Sequence, residues 1–253
     1  MKEPLPQLPG YKPESLIYRA DGRAVYRGRN TETGAVVAIE TLDVEFPDRQ
    51  QVAEIRREGE IAQRLIDVDG VRKVHAVIPH GSGNLALVCE LFESSLKALL
   101  ALSGGRGLPL VEFLEIALSL AHTLGEIHSR DIVHKALTPG NVLFNPVNGA
   151  TGLAGFGIAS ELDQERQALQ MSRQLEGPLP YISPEQTGRM NRDLDYRSDY
   201  YSLGVLLFEL LTGQQPFQAD NVLEWVHSHI SRIPPAPHEI DPEIPEAVSA
   251  IVL

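Results

Sequence analysis

A single cysteine, Cys89, in 253 residues excludes an internal disulfide framework and the cysteine-rich zinc sites, and a lone thiol suits a reducing compartment. Positive charge is also scarce. The 22 Lys and Arg face 34 Asp and Glu, and the net charge of −12 speaks against nucleic acid or an anionic membrane as the main partner. No stretch approaches the roughly 20 apolar residues that span a bilayer, and the opening Met1-Lys2-Glu3-Pro4-Leu5-Pro6 has no apolar run behind its charges. The expectation is a cytoplasmic chain with no membrane insertion. Histidines are present, but His122 and His128 stand about 240° apart around a helix, and His227 and His229 also diverge, so no metal site is expected. What the chain does have is 43 % apolar side chains in 27.8 kDa, enough for one large domain or two modest lobes.

Residues 1–15 are proline-rich and non-periodic, which reads as an arm. Val25-Tyr26 and Val36-Val37-Ala38-Ile39 are strand-like runs separated by a turn at Asn30 to Gly34, a hairpin. Pro47-Asp48 opens a helix through Leu65, and strand signals return at Val74 to Ile78 and Leu85 to Val88. Residues 16–93 therefore predict a small sheet bearing one helix. Beyond residue 94 the pattern turns helical. Leu110, Phe113, Leu114, Ala117, Leu118, Ala121, Leu124 and Ile127 predict a helix begun by Pro109. Short strands are expected at Ile132-Val133, Val142 to Phe144 and Leu153-Ala154. The run from Ser202 to Leu211, closed by Gly213, predicts a helix buried on all sides, and Asp220 is expected to cap one more through Ile230.

Four segments then stand in a telling order. They are Ile132-Val133-His134-Lys135-Ala136-Leu137-Thr138-Pro139-Gly140-Asn141, Leu153-Ala154-Gly155-Phe156-Gly157, Tyr181-Ile182-Ser183-Pro184-Glu185, and Ser198-Asp199-Tyr200-Tyr201-Ser202-Leu203-Gly204. This order resembles the catalytic loop, metal-binding turn, end of the activation segment and central helix of the serine/threonine protein kinase fold. Thr187-Gly188-Arg189-Met190-Asn191-Arg192 further resembles the kinase-like N-terminal domains of bacterial multidomain sensor histidine kinases. The resemblance implies an α+β, bilobal fold, with an N-lobe over 16–93 and a mainly helical C-lobe over 94–253. That C-lobe breaks off in the helical pattern Ala247 to Leu253, where further helices are expected, so an uncovered apolar face and self-association are expected too.

Measured against that family, the charged groups depart. Glu40 stands where the phosphate-holding Lys of the third strand belongs, with Glu58 at the position of its helix partner. Ala136 replaces the catalytic Asp, Thr138 the Lys two residues on, and Gly155 the metal-binding Asp; Asn141 is the one motif ligand left. The glycine loop keeps only Gly22 and Val25. At an effective dielectric of about 20, reversing Lys to Glu opposite a phosphate shifts binding by up to roughly 8 kcal/mol. If Glu40 faces Glu58, the expectations are an outward helix, an arginine rescuing one carboxylate, or a raised pKa. The resemblance marks His134, Asn141, Phe156, Gly157, Glu185 and Asp199 as retained organising positions, and Gly22, Val25, Ala38, Cys89 and Glu90 as a remnant nucleotide pocket.

Three readings follow. The first is a catalytically inactive regulatory module, a pseudokinase that binds a protein partner or downstream domains of its own polypeptide, with no cofactor beyond weak, Mg-free ATP. The second is an active serine/threonine phosphotransferase using displaced residues, with Glu58, Glu60 or Glu161 holding metal. The third is an ATP-sensing module without turnover.

Overall fold

A computed structural model describes residues 5–20, 22–81, 83–162, 175–189 and 193–253. Asp21, Ser82 and Met190-Asn191-Arg192, half of the motif that resembles sensor kinases, lie outside the described residues.

The N-lobe is a five-stranded antiparallel sheet of β1 (Tyr11–Ala20), β2 (Arg23–Asn30), β3 (Val36–Leu42), β4 (Val74–His80) and β5 (Asn84–Cys89), in the order β1-β2-β3-β5-β4. The arm is shorter than its prolines suggest. Tyr11 already pairs with Asn30, and Pro13 is tolerated because β1 is an edge strand with a register shift beside it. Across the sheet lies α1 (Arg49–Arg64), whose Ile55, Ile61 and Ala62 are buried. Asp48 is its N-cap rather than its first turn: the carboxylate accepts from the Gln51 backbone N–H while the Gln51 side chain accepts from the Asp48 N–H.

In the C-lobe, β6 (Ser94–Ser95) leads into α2 (Leu96–Leu102), then α3 (Leu110–His128). The predicted stripe on α3 is only partly right. Phe113, Ile116, Leu120, Leu124 and Ile127 face the core, whereas Leu110, Leu114 and Leu118 face outward, because the sequence offers apolar residues on both sides of this helix. The short strands β7 (Ile132–Val133), β8 (Val142–Phe144), β9 (Thr151–Leu153) and β10 (Ser160–Glu161) frame the loop between the lobes. Buried nearly all round, α4 (Arg197–Thr212) ends at Gly213, whose left-handed backbone (φ 73°) closes the helix. Beyond it lie α5 (Val222–Ser231), capped by Asn221 rather than Asp220, then α6 (Pro237–Ile240) and α7 (Glu246–Val252). The largest apolar cluster joins α3, α4 and the strand framework, so the interlobe loop is mounted on a rigid base.

Candidate active site

Glu40 sits in the middle of the sheet, opposite Val25 on β2 and Leu87 on β5, and it is buried. Its side chain meets Glu58 of α1 through two arginines that the motif reading did not identify. Arg23 Nη1 lies 2.6 Å from Glu40 Oε1 and 2.9 Å from Glu58 Oε2, while Arg72 Nη2 lies 2.7 Å from Glu40 Oε2 and 3.1 Å from Glu58 Oε1. Two carboxylates and two guanidiniums close a ring of formal charge zero. The helix stays packed inward, and the Glu40 pKa moves down rather than up. Burial pushes it upward, but Arg72 and then Arg23 outweigh that and hold it at about 2. Arg23 and Arg72 are both held above the ordinary arginine value against burial. Cys89, fully buried beside Arg72, is pushed up to about 12 by burial and is a neutral thiol, so the two carboxylates sustain the Arg72 charge.

The two arginines differ in access. Arg72 is sealed, with one buried nitrogen, Nε, left without a partner, whereas the Arg23 side chain is 25 % exposed at the cleft. Arg23 follows Gly22, whose carbonyl accepts from the Asp43 N–H at 2.8 Å and so ties the loop to the end of β3. The guanidinium reaches Gly157: a Cβ placed there would stand 3.4 Å from Arg23 Nη2. The rest of the remnant pocket lies along the neighbouring strands. Ala38 pairs with Cys89, Val25 packs beside them, and the exposed Glu90 donates its N–H to Lys73 O at 2.9 Å.

The catalytic-type loop is organised by Asp199. Its carboxylate accepts from the backbone N–H groups of His134 and Lys135, each at 2.8 Å, and from His128 Nε2 at 2.8 Å. This anchoring holds Lys135 at φ 63°, a left-handed conformation that side chains seldom adopt. His134 Nδ1 accepts from the Ala136 N–H, so Nε2 carries the proton and donates to Ala154 O at 2.9 Å; its ring also meets the Phe156 ring edge-on at 4.6 Å. Asn141 Nδ2 donates to Ala136 O at 2.8 Å. Glu185 accepts from Ser198 Oγ at 2.7 Å, and Thr138 Oγ1 accepts from the Asn141 N–H.

The sequence profile of the protein kinase domain matches residues 20–251. The chain belongs to the protein kinase domain family. A probable serine/threonine-protein kinase of Streptomyces coelicolor is 31 % identical over 257 residues, covering 100 % of this chain and 37 % of that protein. Serine/threonine-protein kinase PknA of Mycobacterium tuberculosis is 30 % identical over 248 residues, covering 94 % of this chain and 55 % of the relative. The S. coelicolor serine/threonine-protein kinase PksC is 27 % identical, covering 96 % and 44 %. The chain thus spans roughly a third to a half of the length of these relatives. Their names correct the first reading of the sequence: relatives that match along the whole kinase domain are serine/threonine kinases, which overturns the expectation of a catalytically inactive regulatory module and favours the phosphotransfer reading.

Protein kinases hold Mg²⁺ between the Asp of the Asp-Phe-Gly turn and the catalytic-loop Asn. The residues of this kinase domain do not fit that ion. Gly155 offers no carboxylate, and its φ of 83° is left-handed. A Cβ there would lie 2.5 Å from the Asn141 amide carbon, so that amide fills the place of an Asp side chain. The displaced ligands proposed from sequence do not gather either. Glu58 Oε1 accepts from the Gly155 N–H at 3.0 Å in addition to its two arginines, Glu161 pairs with Arg64, and Glu60 is exposed on α1. Among the described residues, no group of three or more His, Cys, Asp or Glu is placed to hold a metal, and no helix is long and apolar enough to cross a membrane.

Proposed function

We propose that this kinase domain is an atypical serine/threonine phosphotransferase in which Arg23, from β2, is the cation that faces the nucleotide phosphates in place of the missing strand lysine. One observation carries the reading: Arg23 pairs with Glu58 of α1 at 2.9 Å while its side chain stays 25 % exposed. In kinases, the pair between a cation and this helix glutamate must be in place for transfer. Here the cation comes from the neighbouring strand, and Arg72 neutralises Glu40 behind it, so the charge reversal at Glu40 is compensated within the ring. The 8 kcal/mol penalty of an unpaired Glu40 therefore does not apply in full.

Phosphoryl transfer demands positioning and electrostatic support more than covalent help from the protein. A serine or threonine hydroxyl oxygen would bond to the γ-phosphorus as the bond to the ADP oxygen breaks, and the hydroxyl proton would leave to a phosphoryl oxygen or water, because Ala136 offers no base. General-base catalysis contributes about 10²–10⁴-fold. Taken from the 1–100 s⁻¹ usual for kinases, that loss sets the expected turnover at about 10⁻⁴–1 s⁻¹. Labelled γ-phosphate transfer to a generic protein substrate, followed over hours beside the Arg23→Met variant, tests this. Transfer that the variant loses supports the reading; equal transfer by both preparations, or none by either, contradicts it.

Ala136 and Gly155 favour a second reading, nucleotide binding in the same cleft without transfer; saturable ATP binding with no labelled product would single it out. In either case the larger size of the relatives and the Thr187–Arg189 segment support placing this domain in a longer signalling polypeptide, acting on or through its attached modules. The buried, neutral Cys89 suits the cytoplasm.

A further inference from the structure

The long helix α3 carries a second apolar face that the core does not use. Val111, Leu114, Leu118, Ala121 and Gly125 fall three and four residues apart, opposite the stripe that enters the core, and all five are exposed. Val111 and Leu118 are each 71 % exposed and Leu114 is 39 %. The seam runs for about 21 Å. Glu115 and His122, two turns apart, share one of its flanks, and among the described residues neither has an ion pair or a hydrogen-bonding side-chain partner.

A glycine inside a helix is less favourable than an alanine, and beyond its own helix nothing lies within 4 Å of where a Gly125 Cβ would stand. No contact within the chain demands that residue. A second backbone approaching the helix would, because small residues at a crossing let two helix axes come to about 8 Å. Size also follows position: the large side chains occupy the N-terminal half of the seam and the small ones its C-terminal half. Such a pattern complements itself when reversed. An antiparallel copy, related by a two-fold axis level with Ser119 and Leu120, sets Leu118 over Ala121 and Leu114 over Gly125 of the second copy, each twice. The same register brings Glu115 within one turn of His122 of the second copy, a carboxylate beside an imidazole N–H donor.

We propose that the outer face of α3 docks the same face of a second copy of this chain, as an antiparallel helix pair. A helix of unrelated sequence would not call for the mirrored order of large and small residues. The contact is isologous, so it closes at two copies. At a net charge of −12 the copies repel at long range, and salt should therefore strengthen the pairing. The proposal does not depend on phosphoryl transfer.

Sedimentation equilibrium of the whole chain at about 1–100 µM tests this. A monomer–dimer equilibrium is expected, weakened by about tenfold or more in Gly125→Leu and in Leu118→Glu. Both positions face open solvent in the single chain, so each variant should fold, which circular dichroism checks. Register is read by cross-linking with a short bis-maleimide, the one native thiol, Cys89, being buried. Leu114→Cys mixed with Gly125→Cys should link, and neither should link alone, since like positions stand about 16 Å apart along the axis in this register. A monomer throughout that range, association that both folded variants keep, association that salt weakens, or Leu114→Cys linking to itself would overturn the proposal.

Discussion

Replacing Arg72 by methionine removes the sealed half of the charge ring and leaves Glu40 and Glu58 sharing Arg23 alone. Glu40 loses a contact at 2.7 Å and Glu58 one at 3.1 Å. Removing one partner of a buried pair typically costs about 3–5 kcal/mol. An upper bound comes from protonation: an ordinary glutamic acid takes up a proton at pH 7 for about 3.7 kcal/mol, so Glu40 can escape part of the repulsion by becoming neutral. At pH 5 the same escape costs under about 1 kcal/mol, and the penalty of the variant should shrink accordingly. Urea unfolding of Arg72→Met at both pH values reads this directly. The double variant Glu40→Met/Arg72→Met should recover most of the loss, because replacing a buried pair with apolar side chains of similar volume is commonly neutral or stabilising, and Glu58 keeps Arg23. A loss below about 1 kcal/mol for the single variant at pH 7, or a double variant as unstable as the single, would refute the reasoning.

Acid should act through the same ring. The Glu40 pKa, about 2 in the folded chain against 4.5 ordinarily, means that its contribution is fully present above about pH 4.5 and is lost as pH falls toward 2; Glu40→Gln should flatten stability over that window, and a curve unchanged from the parent would count against the assignment. Gly155→Asp restores the Asp-Phe-Gly triplet in sequence but forces a left-handed backbone at about 1–2 kcal/mol and a clash with Asn141, so it should lower the unfolding midpoint without conferring Mg²⁺-dependent stabilisation. Asp199→Asn leaves two backbone N–H groups and His128 competing for one oxygen; a loss of about 3 kcal/mol or more by urea unfolding is expected, and a loss under 1 kcal/mol would show that the loop has other anchors.

The bilobal architecture was legible because motif order and periodicity point the same way. The all-round apolar run of α4 and the strand-like runs Val25-Tyr26 and Val36 to Ile39 of β2 and β3 each specify an element with one packing solution. The α3 stripe was blurred because apolar residues occupy both its faces, and periodicity alone does not say which face meets the core. At the site, motif spacing located Glu40, Glu58, Ala136 and Gly155, and of the three outcomes expected for facing carboxylates the fold realises the arginine rescue, with two arginines instead of one. Arg23 had a signal, since a cation stands inside the glycine loop beside Gly22. Arg72 had none: Val71-Arg72-Lys73 reads as a solvated charge pair, and only the closure of the segment before β4 onto β9, Arg72 N to Leu153 O at 2.9 Å, turns it inward.

Calorimetric titration of the purified chain with ATP, in parallel with Arg23→Met, bears most directly on the claim that an arginine from β2 has taken over the grip on phosphate. The account predicts saturable binding that weakens by about tenfold or more when the guanidinium is removed while the fold is retained. ATP binding that is absent from the parent chain, or that the variant preserves unchanged, would contradict it.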